Sequence, residues 1–138
     1  MASIRVEHMS DDAFDVHVRD HVLRVDQPTH EGGADSGPTP TELFVASLAA
    51  CVAYSARRYL ARHDLPTEGL VVTAHSTGAS RPARTGRTAV EVTLPRDFPS
   101  ERAAALLAVA SHCSVHSSLE QPPEVSVALA EPVSAALT

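Results

Sequence analysis

Apolar and polar residues alternate with a period of two over three stretches near the start of the chain: Ser3–Met9, Phe14–Val18 and His21–Val25. Acidic turn material at Ser10-Asp11-Asp12 and Arg19-Asp20 separates them, which predicts a three-stranded antiparallel meander. Residues 26–38 are rich in Gly, Pro, Asp and Ser and read as a loop. The next element has a marked start. Thr39-Pro40-Thr41-Glu42 combines a capping box, with Thr39 as cap and Glu42 three residues on, with Pro40 at the first helical position. The helix is predicted from Pro40 to about His63, stopped by Asp64-Leu65-Pro66. From Leu43 to Tyr54 only Ser47 is polar, so this half is apolar on every face. Only the second half, with Arg57, Arg58, Arg62 and His63, has a wet side. A helix dry all round must be enclosed by its own domain and by something more. In a chain of 138 residues, that something is a second copy of itself.

Leu70–His75 and Arg87–Leu94 read as two longer strands joined by a loop over Ser76–Gly86. That loop carries Arg81 and Arg84 and is expected to be exposed, mobile and outside any site. A second helix is expected over about Ser100–Ser111, a short helical turn over Val115–Glu120 and a last strand over Val125–Ala130, with a loose tail from Pro132. Strands in blocks with helices inserted make an α+β fold rather than a doubly wound one. The length fits one domain, residues 1–138.

Hydrophobic content of 43% with 20% charged residues is that of a soluble globular chain. With no Trp, three Phe and two Tyr, the core must be built from Val, Leu and Ala, and burial between subunits would strengthen it. A net charge of −6 argues against nucleic acid as a partner, since phosphate binding needs a basic footprint. The run Leu43–Tyr54 is too short to span a bilayer, and residues 1–20 lack a basic start followed by an apolar run. The expected location is the cytoplasm, with no membrane partner. That compartment keeps thiols reduced, which leaves Cys51 and Cys113 as inert buried side chains or as a working redox pair.

Cys51 lies in the driest part of the first helix, where free Cys packs like a small apolar group. Cys113 falls at the break before the short helical turn. A thiol at a helix N-terminus meets unpaired N–H groups and the positive dipole end, so Cys113 is expected to be the more acidic. A metal site at His112, Cys113 and His116 would offer three ligands on a tight turn, where structural zinc takes four. No metal or other cofactor is expected.

Gly37-Pro38-Thr39-Pro40-Thr41-Glu42-Leu43, followed by an alanine-rich helix reaching Ala49-Ala50-Cys51, resembles the OsmC/Ohr superfamily. So does His112-Cys113-Ser114-Val115-His116, which is similar to the family's second-cysteine segment. The resemblance covers essentially the whole chain. It implies an interlocked homodimer with the long helices of both subunits at its centre. It also implies reduction of organic hydroperoxides, with Cys51 attacking, Cys113 resolving the sulfenic acid as a disulfide, and an external dithiol as reductant. The chain departs from the hydroperoxide-resistance branch in two ways: it lacks that branch's glycine-rich, Arg-bearing turn near the N-terminus, and it differs after the Pro. In that branch the residue after the Pro is a Glu that partners an activating Arg, whereas this chain has Thr41, with Glu42 one step on. One step is about 100° around a helix, so Glu42 is a candidate supporting residue that need not face the same site. Arg19 and Arg24 are the nearest candidates for the activating cation. The pattern is closer to the less characterised OsmC-like branch. An alternative follows for that branch: a non-enzymatic protein that binds a small apolar ligand at the dimer groove, its cysteines vestigial.

Overall fold

The computed structural model describes residues 3–131. Strands β1 (Ile4–Ser10), β2 (Ala13–Val18) and β3 (His21–Val25) form the antiparallel meander in the order β1-β2-β3. The register pairs Ile4 with Val18, Val6 with Val16 and Val16 with Leu23. Those pairs, with Phe14 opposite Val25, put one apolar stripe on one face. The other face carries Arg5, Glu7, Asp15, His17 and Arg24, tied by the Arg5–Glu7 and Arg24–Asp15 ion pairs. An antiparallel sheet normally covers its apolar face. This one does not: Ile4, Val6 and Leu23 are 61%, 54% and 46% exposed, and among the described residues the sheet packs substantially against no other element.

Helix α1 (Pro40–Arg62) starts at the expected residue. Thr39 Oγ1 accepts from Glu42 N at 3.0 Å, and Glu42 Oε1 accepts from Thr39 N at 2.8 Å. The loop leading to it is held by Asp26, which is 1% exposed. Its carboxylate accepts from Gln27 N, Ser36 N and Ser36 Oγ at 2.7, 3.0 and 2.6 Å. Gly37 must be glycine, because a Cβ there would lie 2.2 Å from the Arg24 carbonyl oxygen. The hydrogen bonds from Ser36, then Gln27, draw the Asp26 pKa down to about 2, despite the opposing effect of burial. Its folded pKa lies below the ordinary carboxylate value. Its contribution to stability is therefore whole above about pH 4 and lost as pH falls through about 2. Acid unfolding followed by circular dichroism should show this loss in the wild type and a shallower dependence over that window in Asp26→Asn.

Strands β4 (Val71–Ala79) and β5 (Arg84–Thr93) form a second antiparallel sheet. The loop expected over Ser76–Gly86 is corrected: pairing continues through Ser76 with Thr88 and Ala79 with Arg84, past a bulge at Thr77/Gly78. Ser and Gly disfavour strands on their own, but a ladder opposite Thr85, Arg87 and Thr88 overrides that preference. Only Ser80–Ala83 turns, and Arg84 closes the turn by donating to the Ser80 and Pro82 carbonyls.

Helix α2 (Ala103–Ala110), preceded by a tight turn at Ser100–Arg102, leads to α3 (Ser114–Glu120). One face of α1 (Leu48, Val52, Ala56, Tyr59, Leu60) packs on Leu106, Ala110 and Cys113, with Val72, Val90 and Val92 of the hairpin closing the core. The strand expected over Val125–Ala130 is also corrected. That segment joins no sheet, and Val125 and Val127 are 77% and 96% exposed, because nothing within the described chain offers it a ladder. The tail from Pro132 lies outside the described residues.

The result is an α+β fold with antiparallel sheets and a long helix carrying Cys51. Its accessible surface is 10622 Å². A compact monomer of this length exposes about 6,900 Å². Large apolar side chains stand exposed on the bare sheet face, in the Val125–Leu129 segment and on the side of α1 at Phe44 and Tyr54.

Candidate functional site

Cys51 sits mid-way along α1, half-buried, one turn from Leu48 and beside Val52 of the core face. Cys113 is buried and occupies the break between α2 and α3, as the N-cap of α3. Both sulfurs are free thiols, and they lie near each other at the start of α3. Ser114 Oγ lies 3.7 Å from Cys51 Sγ, and His116 N donates to Cys113 Sγ at 3.4 Å.

This geometry reverses the expected order of acidity. Burial, and after it the neighbouring Cys51 sulfur, pushes the Cys113 pKa up, although the His116 and Val115 amides of its own helix oppose this. The first-turn amides of α3 also serve the other sulfur. Burial opposes ionisation of Cys51, but hydrogen bonds from Val115 N, the Ser114 hydroxyl, the Cys113 thiol and Ser114 N outweigh it and lower the pKa. The start of α3 thus serves the thiol across from it as well as the thiol that caps it. A thiol with a lowered pKa keeps its reactive thiolate to lower pH. Iodoacetamide labelling followed by peptide mapping against pH should therefore modify Cys51 first, with its midpoint below that of a free thiol. Cys113 reacting first would contradict this assignment.

A cation within about 4–6 Å would hold the Cys51 thiolate, the part for which Arg19 and Arg24 were the nearest candidates. The largest influences on Cys51 are instead burial and these hydrogen bonds, none of them a cation. Ser114 and Val115, which the sequence reading passed over, take that role. The one sequence signal for them is their place directly after an N-cap.

The remaining candidates lie elsewhere. The Glu42 carboxylate is engaged in the capping box, at the start of α1. Arg24 pairs with Asp15 in the N-terminal sheet, and Arg19 stands in the exposed turn before β3. His112 Nδ1 donates to the Ala108 carbonyl at 2.6 Å, and His116 Nε2 lies 3.1 Å from Glu120. The two imidazoles beside Cys113 are thus engaged with separate partners. An apolar cavity of about 220 Å³ opens between α1, α2 and β5, walled by Leu48, Val52, Val90, Val92 and Leu107, with His116 at its edge. Leu48 and Val52 flank Cys51 on α1, so apolar surface adjoins the thiol pair. No helix among the described residues is long and apolar enough to cross a membrane.

Solved structures share this fold. A protein from Psychrobacter arcticus described as an osmotic stress induced and detoxification response protein superposes with a TM-score of 0.79 at 18% identity, over 86% of this chain and 88% of that one. An organic hydroperoxide resistance protein from Legionella pneumophila gives 0.67 at 20% identity, over 86% and 88%. The organic hydroperoxide resistance protein of Bacillus subtilis gives 0.64 at 16%, over 88% and 92%. No curated protein matches the chain. The family model described as OsmC-like protein matches residues 32–128, which takes in the capped helix, both cysteines and the β4–β5 hairpin, and the chain belongs to that family.

Proposed function

We propose that this protein reduces organic hydroperoxides with a pair of thiols, Cys51 attacking and Cys113 resolving. The observation that carries the reading is the placement of Cys51 against the start of α3, 3.7 Å from Ser114 Oγ, where the N-cap is a second free thiol, Cys113. The Cys51 thiolate attacks the terminal peroxide oxygen, the O–O bond breaks, and the alkoxide leaves with a proton as an alcohol. Cys51 is left as a sulfenic acid. The Cys113 sulfur then displaces hydroxide, forming the disulfide and, with the thiol proton, water. An external dithiol reduces the disulfide by exchange and is itself oxidised, restoring both thiols. The depressed pKa suits the attacking sulfur, and the apolar side chains of Leu48 and Val52, which flank it on α1 and line the cavity, suit an organic peroxide over hydrogen peroxide.

The same reading takes the chain as one OsmC-like domain working in the cytoplasm as part of an oxidative-stress defence, and as a homodimer. The bare apolar face of β1–β3 and the excess surface support the dimer. A second reading is a ligand-binding member with vestigial cysteines. Two observations favour it: Thr41 stands at the Glu position of the hydroperoxide-resistance branch, and the main influences on Cys51 include no cation. Consumption of cumene hydroperoxide with dithiothreitol separates the two. The first reading predicts enzyme-dependent turnover that exceeds turnover of hydrogen peroxide, whereas the second predicts the background rate.

A further inference from the structure

Beyond the thiol pair, a cleft of about 410 Å³ lies between α1 and the end of α2, lined by Ser55, Arg58, Arg62, Ala108, Val109 and His112. Ser55, Arg58 and Arg62 follow Cys51 at spacings of three and four and so continue its face of α1. At 1.5 Å rise per residue, Arg58 lies about 10 Å and Arg62 about 16 Å along the helix from Cys51. The chain carries a net charge of −6, yet among the described residues neither arginine forms an ion pair. Arg58 stands 5.7 Å over the Tyr54 ring, a contact that steadies the guanidinium without neutralising it. The His112 ring donates from Nδ1 to the Ala108 carbonyl, which leaves Nε2 as a further polar group in the lining. Ala108 and Val109 make the facing wall apolar.

Two unpaired guanidiniums opposite an apolar wall fit an anionic oxygen group carried on an apolar chain. We propose that this cleft binds the carboxylate or phosphate end of a ligand whose other end reaches Cys51. The inference rests on the reading that ligands approach that thiol, but it concerns binding and does not require that the thiol turn over. It makes the Arg58/Arg62 pair a specificity element that selects amphiphilic anions over neutral molecules of the same length.

The test uses redox-inert probes, dodecanoate, dodecyl phosphate, neutral dodecanol and inorganic phosphate, measured by calorimetry on the intact protein and on Arg58→Gln/Arg62→Gln. Dodecanoate, dodecyl phosphate or both should bind at least about tenfold more tightly than dodecanol, a preference that falls with added salt and is lost in the double variant. The member of the pair that binds identifies the headgroup, and binding of inorganic phosphate alone would overturn the proposal by locating the recognition in a free anion. Arg57→Gln, a charge change outside the cleft lining, should keep the preference, and thermal melts verify that each variant is folded. Bound dodecanoate or dodecyl phosphate should also slow iodoacetamide labelling of Cys51. Equal affinity for charged and neutral probes, or a preference unchanged in the double variant, would overturn the proposal. Failure of cumene hydroperoxide turnover with the anion preference intact would instead count against the peroxidase reading alone.

Discussion

Cys51→Ser is expected to reduce cumene hydroperoxide consumption to the uncatalysed background, while Cys113→Ser still performs the first reduction. The two substitutions differ because the two sulfurs have different surroundings. Cys51 receives the Ser114 hydroxyl and the Ser114 and Val115 amides, all of which stabilise its thiolate. Serine at that position has no comparable anion to stabilise, since a hydroxyl stays protonated near neutral pH. Cys113 is buried, has a raised pKa, and sits at a helix break where the chain can shift toward a neighbour. Its removal leaves the sulfenic acid on Cys51 without a resolving partner. In Cys113→Ser treated with peroxide in the absence of dithiol, dimedone should therefore label Cys51. Equal turnover in wild type and Cys51→Ser would remove the enzymatic reading.

The second large effect concerns assembly. Sedimentation at micromolar concentration should give a dimer, with an interface above about 2,000 Å². Three surfaces left bare in one chain make this expectation: the apolar face of β1–β3, the Phe44–Tyr54 side of α1, and Val125–Leu129. Leu23→Glu places a carboxylate on the bare sheet face opposite Val16. Should that face be covered in the dimer, the uncompensated charge costs on the order of 3–5 kcal/mol, enough to shift the population toward dissociated or unfolded chains. A stable wild-type monomer, or a Leu23→Glu dimer as tight as the wild type, would contradict the assembly.

The parts of the fold legible in the sequence were those dictated by local physics. The meander follows from period-two alternation broken by Asp-rich turns, and α1 begins where the capping box and Pro40 place it. Other features depended on partners the local pattern does not name. Ser76–Ala79 pairs because an opposite strand is present, and Val125–Ala130 alternates like a strand but finds no ladder within the described residues. The site divides in the same way. Both cysteines stand out as residues, and the helix terminus between them is visible as a break in the pattern. Which thiol the α3 amides reach is a matter of tertiary placement, which the local pattern does not name. Arg58 and Arg62 read in the sequence only as a wet helix side, because the facing wall of their cleft comes from α2, some fifty residues later.

The central claim is that Cys51 and Cys113 form a working pair, and one measurement addresses it directly. The reduced protein, freed of dithiol, is treated with one equivalent of cumene hydroperoxide and its intact mass and peptide map are recorded. The account predicts loss of both free thiols, a mass lower by a pair of hydrogen atoms, and a cross-linked peptide joining Cys51 to Cys113. Two thiols that remain free while the peroxide persists would contradict it.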